Sequence, residues 1–170
     1  QFEPALVARP STTPMTIGLV GRVVPIKDVK TFIRAMHIVT SAIPESEGLI
    51  IGGADEDASY AEECTALVRS LGLEQRVRFL GHQKVIEMFP KLGLLMLSSI
   101  SEAQPLAVLE AFASGVPCVV TDVGACREQR RLLCRHRREC ARQPECLLRN
   151  TVPGRANGTH GAASLLSSTN

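Results

Sequence analysis

The stretch that decides the fold of this chain is SSISEAQPLAVLEAFASGVPCVVTDVGACRE, residues 98–128. Two carboxylates, Glu102 and Glu110, lie eight positions apart across the predicted start of a helix at residues 105–114. A glycine and a proline follow that helix, and the short apolar run at residues 118–121 then predicts a strand. A helix that leads directly into a buried strand is typical of an α/β fold.

The rest of the chain repeats this alternation of apolar strands and helices. Helical spacing of apolar residues predicts helices at residues 29–43, 58–71 and 85–92, and apolar runs predict strands at residues 15–21, 48–53, 76–81 and 94–99. Because each strand is continuously apolar, both faces of the sheet must be covered. We therefore expect an α/β fold: a Rossmann-like parallel sheet with helices on both faces, ending after the fifth strand.

The charge of the chain is divided between two regions. The formal net charge of +2 combines 10 Lys/Arg and 14 Asp/Glu in residues 1–126 with 9 Arg and 3 Glu in residues 127–170. The region with the predicted fold is therefore acidic, which argues against nucleic acid as its partner. No apolar run reaches the roughly 18 residues that a membrane-spanning helix needs.

Composition predicts three regions along the chain. Residues 1–14 contain three prolines and resemble a linker that enters a domain. Residues 15–128 form the predicted domain. Residues 129–170 are an atypical tail, rich in Arg and Cys, in which the strand and helix pattern fails.

Cysteine usage follows the same division. Cys64 and Cys118 lie in helical or apolar contexts and are predicted to be buried thiols. The remaining cysteines lie in or beside the basic tail: Cys126, Cys134, Cys140 and Cys146. Their spacing matches no zinc pattern, so we expect no metal centre there.

Two cations follow the first predicted strand. Parallel sheets bind ligands at the carboxyl ends of their strands, and Arg22 and Lys27 lie just beyond that end. The forked guanidinium and the compact ammonium both suit phosphate oxygens. The alternative is a tight turn with two solvated cations. The segment contains neither a P-loop nor the GxGxxG signature of dinucleotide-binding proteins.

The two carboxylates of the opening stretch suit sugar hydroxyls. A carboxylate can accept two hydroxyl hydrogen bonds at once, which matches the vicinal diols of ribose or hexose. Glu110 is the only charge in an otherwise apolar helix, where an unpaired acid is costly unless it has a function. The alternative is that both are solvated helix acids.

Two further features near the carboxyl ends of the predicted strands have plainer interpretations. Asp55, Glu56 and Asp57 resemble a DxD motif that binds a metal–nucleotide complex, but we favour an acidic lead-in to a helix N-terminus. His82 follows the third strand and could contact a ligand. We favour a solvated loop histidine.

Together these segments resemble the C-terminal half of a family 4 glycosyltransferase of the GT-B fold. The resemblance covers residues 15–128, in the order GLVGRVVPIKD, LIIGGADED, LGLEQRVRFLG and then the opening stretch. Three segments are most similar to the Pel-polysaccharide branch of that family: GRVVPIKDVKTFIRAM, DEDASYAEEC and TDVGACRE.

The resemblance implies a role for each candidate residue. Arg22 and Lys27 would hold the diphosphate of a nucleotide sugar and stabilise the charge that develops as it leaves. Glu102 would bind hydroxyls of the donor sugar, and Glu110 those of the ribose. Backbone amides at the start of the helix would add phosphate donors, near Gln104, Pro105 and Leu106.

The resemblance also implies a reaction and partners. The reaction retains anomeric configuration, uses a UDP-sugar and needs no metal or other cofactor. We expect a cytoplasmic protein of polysaccharide synthesis, whose partners are an N-terminal acceptor-binding domain that this chain lacks and the synthesis machinery at the membrane. Without that domain the fragment would bind the donor and be largely inactive.

The resemblance stops near residue 128, where the family continues with a further strand. We expect that the tail at residues 129–170 is disordered or read out of frame, with a frameshift between about residues 128 and 143. Two other functions stay open. One is a Rossmann-like interaction module without catalysis, and the other is part of a GT-B sugar epimerase.

Overall fold

The computed structural model of the chain describes residues 15–126. The predicted linker at residues 1–14 and the predicted tail at residues 129–170 lie outside the described residues, as does the proposed frameshift. Both boundaries therefore stay predictions.

The described residues form strands and helices close to those predicted. The strands are β1 (Thr16–Val20), β2 (Glu47–Ile51), β3 (Val77–Gly81), β4 (Leu94–Leu97) and β5 (Cys118–Val120). The α-helices are α1 (Val29–Ala42), α2 (Ala58–Ser70), α3 (Val85–Met88) and α4 (Leu106–Ala113). Short 3-10 turns lie at Pro25–Lys27 and Phe89–Lys91. The predicted helix at residues 85–92 is thus an α-helical turn followed by a 3-10 turn that contains Pro90.

All five strands are parallel and lie in the order β3-β2-β1-β4-β5. The order runs outward in one direction from β1 to β3 and in the other from β4 to β5. The reversal between β1 and β4 opens a crevice at the carboxyl ends of these two strands. The Rossmann-like parallel sheet predicted from the sequence is therefore confirmed, and its topology places the ligand crevice between the loops after β1 and β4.

Apolar clusters pack on both faces of this sheet. Ile50 packs with α1 and α2 on one face, and Leu49 and Ile51 pack with α4 and the 3-10 turn before β4 on the other. This alternation follows from the pleat, which sends successive side chains of a strand to opposite faces. It confirms that helices cover both faces. Within residues 15–126, none of the helices combines the length and the apolar character that crossing a bilayer requires.

The first helix begins as the sequence predicts. Asp28 caps α1 by accepting hydrogen bonds from the Thr31 backbone N at 3.3 Å and from Thr31 Oγ1 at 2.7 Å. Asp28 adopts a left-handed conformation with φ of 45°, which aspartate tolerates better than most residues. The cap therefore fixes the turn that ends the loop after β1.

Three cysteines of the described residues are buried thiols. Cys64 and Cys118 are buried, as their apolar contexts predict. Cys126, which the sequence places beside the basic tail, is also buried, in the core around β4 and β5. The reason is a turn in which the Cys126 backbone N donates to the Val123 carbonyl at 3.1 Å. Burial, and then the nearby Glu102, raise the pKa of the Cys126 thiol.

A buried thiol and a buried phenol make the free energy of unfolding decrease at alkaline pH. Burial raises the pKa of the Cys64 thiol to about 11 and that of the Tyr60 phenol to about 12. The unfolded chain therefore releases these protons first, and stability falls as pH rises from about 9 through 11 and 12. Between pH 9 and 11, we expect the free energy of unfolding of Cys64→Ala, measured in urea, to fall less than that of the parent. Equal losses in both proteins would contradict this role for Cys64.

Candidate functional site

The two loops that border the crevice are joined by hydrogen bonds. The Ile100 backbone N donates to the Ile26 carbonyl at 2.9 Å. The buried Ser98 hydroxyl lies 3.1 Å from the Lys27 carbonyl and 3.0 Å from that of Asp28. These contacts hold the loop after β4 against the loop after β1, although the two are far apart in sequence.

Lys27 and Glu102 form an ion pair in this crevice. The Lys27 Nζ lies 2.5 Å from Glu102 Oε1, and the side chains are 19% and 8% exposed. The Ser99 hydroxyl, itself buried, donates to the same Oε1 at 2.6 Å. A charge this deeply buried is stable only when it is paired and hydrogen-bonded, and both conditions are met here.

The loop after β5 supports Glu102 from the other side. The Thr121 hydroxyl donates to the Ser99 carbonyl at 2.6 Å, and the Ala125 backbone N donates to the Glu102 carbonyl at 3.3 Å. A Cβ on Gly124 would lie only 1.7 Å from that carbonyl, and φ at Gly124 is +50°. Gly124 is therefore required for the close approach of the two loops.

Arg22 lies on the exposed side of the crevice. Its guanidinium Nη1 pairs with Glu56 Oε2 in the loop after β2, and the two side chains are 57% and 52% exposed. An ion pair this exposed contributes at most about 1 kcal/mol, so the guanidinium is free to exchange partners.

The acidic loop after β2 behaves as its plainer interpretation predicts. The Asp57 carboxylate caps α2 by accepting a hydrogen bond from the Tyr60 backbone N at 2.9 Å. Asp55 Oδ1 lies 3.3 Å from Nε2 of His82, an exposed loop histidine. A hydrogen bond with its own backbone amide, and then the contact with His82, lower the pKa of Asp55. Among residues 15–126 no His, Cys, Asp and Glu side chains cluster to hold a metal ion.

The start of α4 offers fewer amides than the sequence suggests. Pro105 has no backbone N–H, and the Leu106 N–H donates to the Gln104 carbonyl at 2.9 Å. The helix begins at Leu106 without a side-chain cap. Of the three predicted contributors, only the Gln104 amide is therefore left as a donor, and we add the Ala107 amide in the first turn.

Glu110 lies in the second turn of α4 and is partly buried. Val108 and Ala111 turn the apolar side of this helix into the core. Glu110 is the only charged residue of α4, as the sequence shows, and no ion pair joins its carboxylate to another side chain within residues 15–126.

The structure brings together two predicted site residues that the sequence treats separately. Lys27 was expected at the phosphates and Glu102 at the sugar, but here they are in direct contact. Ser99 and Gly124 also shape the site and were missed. Gly124 has a sequence signal, because a glycine follows the fifth strand in TDVG. For Ser99 the sequence offers only its position three residues before Glu102.

The fold and the crevice define a Rossmann-like domain with a candidate ligand site at its topological switch point. Residues 14–150 match the family model described as glycosyl transferases group 1. The chain therefore belongs to the group 1 glycosyltransferase family. This agrees with the GT-B resemblance of the sequence.

Named relatives include both sequences and solved structures. N-acetyl-alpha-D-glucosaminyl L-malate synthase of Bacillus anthracis is 34% identical over 104 residues, which cover 61% of this chain and 26% of that protein. Anabaena HepE in complex with UDP-glucose is similar in structure, with a TM-score of 0.63 and 26% identity over 68% of this chain and 32% of HepE.

A further solved structure is itself one domain. The C-terminal domain of the glycosyl transferase group 1 family protein LpcC from Francisella tularensis has a TM-score of 0.61 and 26% identity, covering 66% of this chain and 62% of that one. This chain thus spans about a third or less of the B. anthracis enzyme and of HepE, and its likeness to LpcC lies in the C-terminal domain.

Proposed function

We propose that this chain is the donor-binding part of a retaining glycosyltransferase that uses a UDP-sugar. The observation that carries the proposal is the Lys27–Glu102 pair in the crevice between β1 and β4. A cation and a carboxylate at that point suit a ligand with a diphosphate beside a sugar. The UDP-glucose complex of HepE supports the same donor class.

In this proposal the two cations bind the diphosphate. Lys27 is fixed and partly buried, whereas Arg22 is exposed and can turn from Glu56 to a phosphate oxygen. A guanidinium can bind a phosphate with two parallel hydrogen bonds, whereas the pair with Glu56 is exposed and joins one nitrogen to one oxygen. Both cations would stabilise the negative charge that develops on the departing diphosphate.

The carboxylates bind the two sugars of the donor. Glu102 binds hydroxyls of the transferred sugar, and Glu110 binds the ribose hydroxyls from the second turn of α4. The amides of Gln104 and Ala107 add donors to the phosphates at the positive end of that helix. No metal ion takes part in this arrangement.

The wider role follows from the resemblance to family 4, and within it to the Pel-polysaccharide branch. We propose that the protein works in the cytoplasm in polysaccharide synthesis, with an N-terminal acceptor-binding domain and the synthesis machinery at the membrane as partners. Because retaining GT-B enzymes react between two domains, this chain alone should bind the donor with little turnover.

Calorimetric titration of UDP into the 170-residue chain tests the proposal. We expect saturable binding that weakens about tenfold in Arg22→Ala and in Glu110→Gln, because each loses a charge-assisted hydrogen bond to the ligand. Arg78→Ala is a matched control, since Arg78 also forms an exposed ion pair but at the amino end of the sheet. Glu62→Gln, on the exposed surface of α2, is the control for Glu110.

The controls decide between the site and a general charge effect. Binding that weakens equally in Arg78→Ala would show that UDP does not use the crevice. A folded parent that binds no UDP would overturn the proposal and favour a non-catalytic interaction module.

A further inference from the structure

The carboxylate of Glu102 is held through one of its two oxygens. Both the Lys27 ammonium and the Ser99 hydroxyl contact Oε1, at 2.5 and 2.6 Å. Within residues 15–126 Oε2 accepts no hydrogen bond, and it is not fully buried. Oε2 is therefore the carboxylate oxygen that is left available to a ligand.

We propose that Ser99 is a positioning residue that fixes this orientation, so that Oε2 of Glu102 is the sugar-binding atom. This inference rests on the proposed function, because it concerns the donor sugar of that same site. An ammonium alone attracts a carboxylate as a point charge and does not decide which oxygen faces the ligand. A hydroxyl donor with a fixed direction decides it.

Ser99 is itself held in place by its surroundings. Its side chain is almost fully buried, and its carbonyl accepts a hydrogen bond from the Thr121 hydroxyl in the next loop. The neighbouring loops therefore fix the Ser99 hydroxyl, and that hydroxyl fixes the orientation of the Glu102 carboxylate. A binding group that is oriented before the ligand arrives loses less entropy on binding.

The test compares UDP, which lacks the donor sugar, with UDP-glucose. We expect Ser99→Ala to weaken the binding of UDP-glucose about tenfold and that of UDP less than twofold, because only the sugar contacts Glu102. In a Glu102→Ala background the same substitution should have no further effect on the binding of UDP-glucose, because the carboxylate that Ser99 orients is gone. Ser98→Ala is the matched control, because it removes a buried hydroxyl that bonds to backbone carbonyls only.

Three results would overturn the inference. They are an equal loss for both ligands in Ser99→Ala, an unchanged effect of that substitution in the Glu102→Ala background, and a sugar-selective loss in Ser98→Ala. If Ser99→Ala does not fold, Ser99→Cys keeps the shape of the side chain and replaces the hydroxyl by a weak donor. We expect the same selective loss from it.

A measurement without ligand separates this inference from the proposed function. A crystal structure of Ser99→Ala should show the Glu102 carboxylate in a different orientation while β4 and its loop stay in place. An unmoved carboxylate would overturn the positioning role even if UDP binds. A parent that binds no UDP while the carboxylate moves would instead overturn the donor site and with it the sugar-binding role of Oε2, leaving only the local geometry.

Discussion

Lys27→Met is expected to lower the free energy of unfolding by about 3 kcal/mol, because it leaves the buried Glu102 carboxylate without its cation. The Ser99 hydroxyl would stay as one donor, but a single hydroxyl cannot replace a full positive charge. Methionine keeps the length of the side chain, so the loss reflects the charge and not a cavity. The same variant should lose UDP binding by at least about tenfold if Lys27 contacts the diphosphate.

Urea unfolding of three variants checks this result. Lys91→Met is the control, because Lys91 is exposed in the turn before β4, at the opposite end of the sheet. The double variant Lys27→Met with Glu102→Met should be more stable than Lys27→Met alone, since an apolar pair can replace a buried ion pair. A double variant that is less stable than the single one would contradict the argument.

Gly52→Ala is expected to destabilise the fold by about 3 kcal/mol, through strain and overpacking at the end of β2. The φ angle at Gly52 is +153°, and an added Cβ would lie 2.0 Å from the Gly21 carbonyl oxygen. Neither backbone can yield easily. The Gly21 N donates to the Ile51 carbonyl at 2.9 Å, and the Gly52 N donates to the Gly81 carbonyl at 2.9 Å.

Gly81→Ala is the matched control for that substitution. Gly81 also has a positive φ, of +64°, but an added Cβ there would meet no atom within 4 Å. Its cost should be limited to the left-handed conformation, about 1 kcal/mol. Thermal unfolding measures the stability that each variant loses. Equal losses in Gly52→Ala and Gly81→Ala would contradict the steric argument.

Much of the fold was predictable from local sequence. Buried parallel strands are continuously apolar, so runs such as the one that became β1 stand out without tertiary information. The boundaries differ from the predicted ones where contacts between loops decide them. Residues 98–99 were predicted to end β4, but the strand ends at Leu97, and the Ser98 hydroxyl bonds instead to the loop after β1.

The geometry of the site was less predictable for a different reason. Lys27 and Glu102 lie 75 residues apart, and they meet only because β4 pairs with β1. Strand order is a tertiary property that no local pattern encodes. The sequence therefore indicates which residues are charged near strand ends, but not that one cation neutralises one acid. Cys126 shows the same limit, since its burial depends on a turn at the end of the described chain.

The hydrogen bonds between the loops after β1 and β4 bear on the cost of recognition. A flexible loop must give up conformational entropy when it closes on a ligand, at about 0.5–1.5 kcal/mol for each side chain immobilised. Here the Ile100–Ile26 backbone bond and the two contacts of Ser98 have already ordered both loops during folding. The crevice is thus a rigid template, and more of the contact energy of any ligand is kept as affinity.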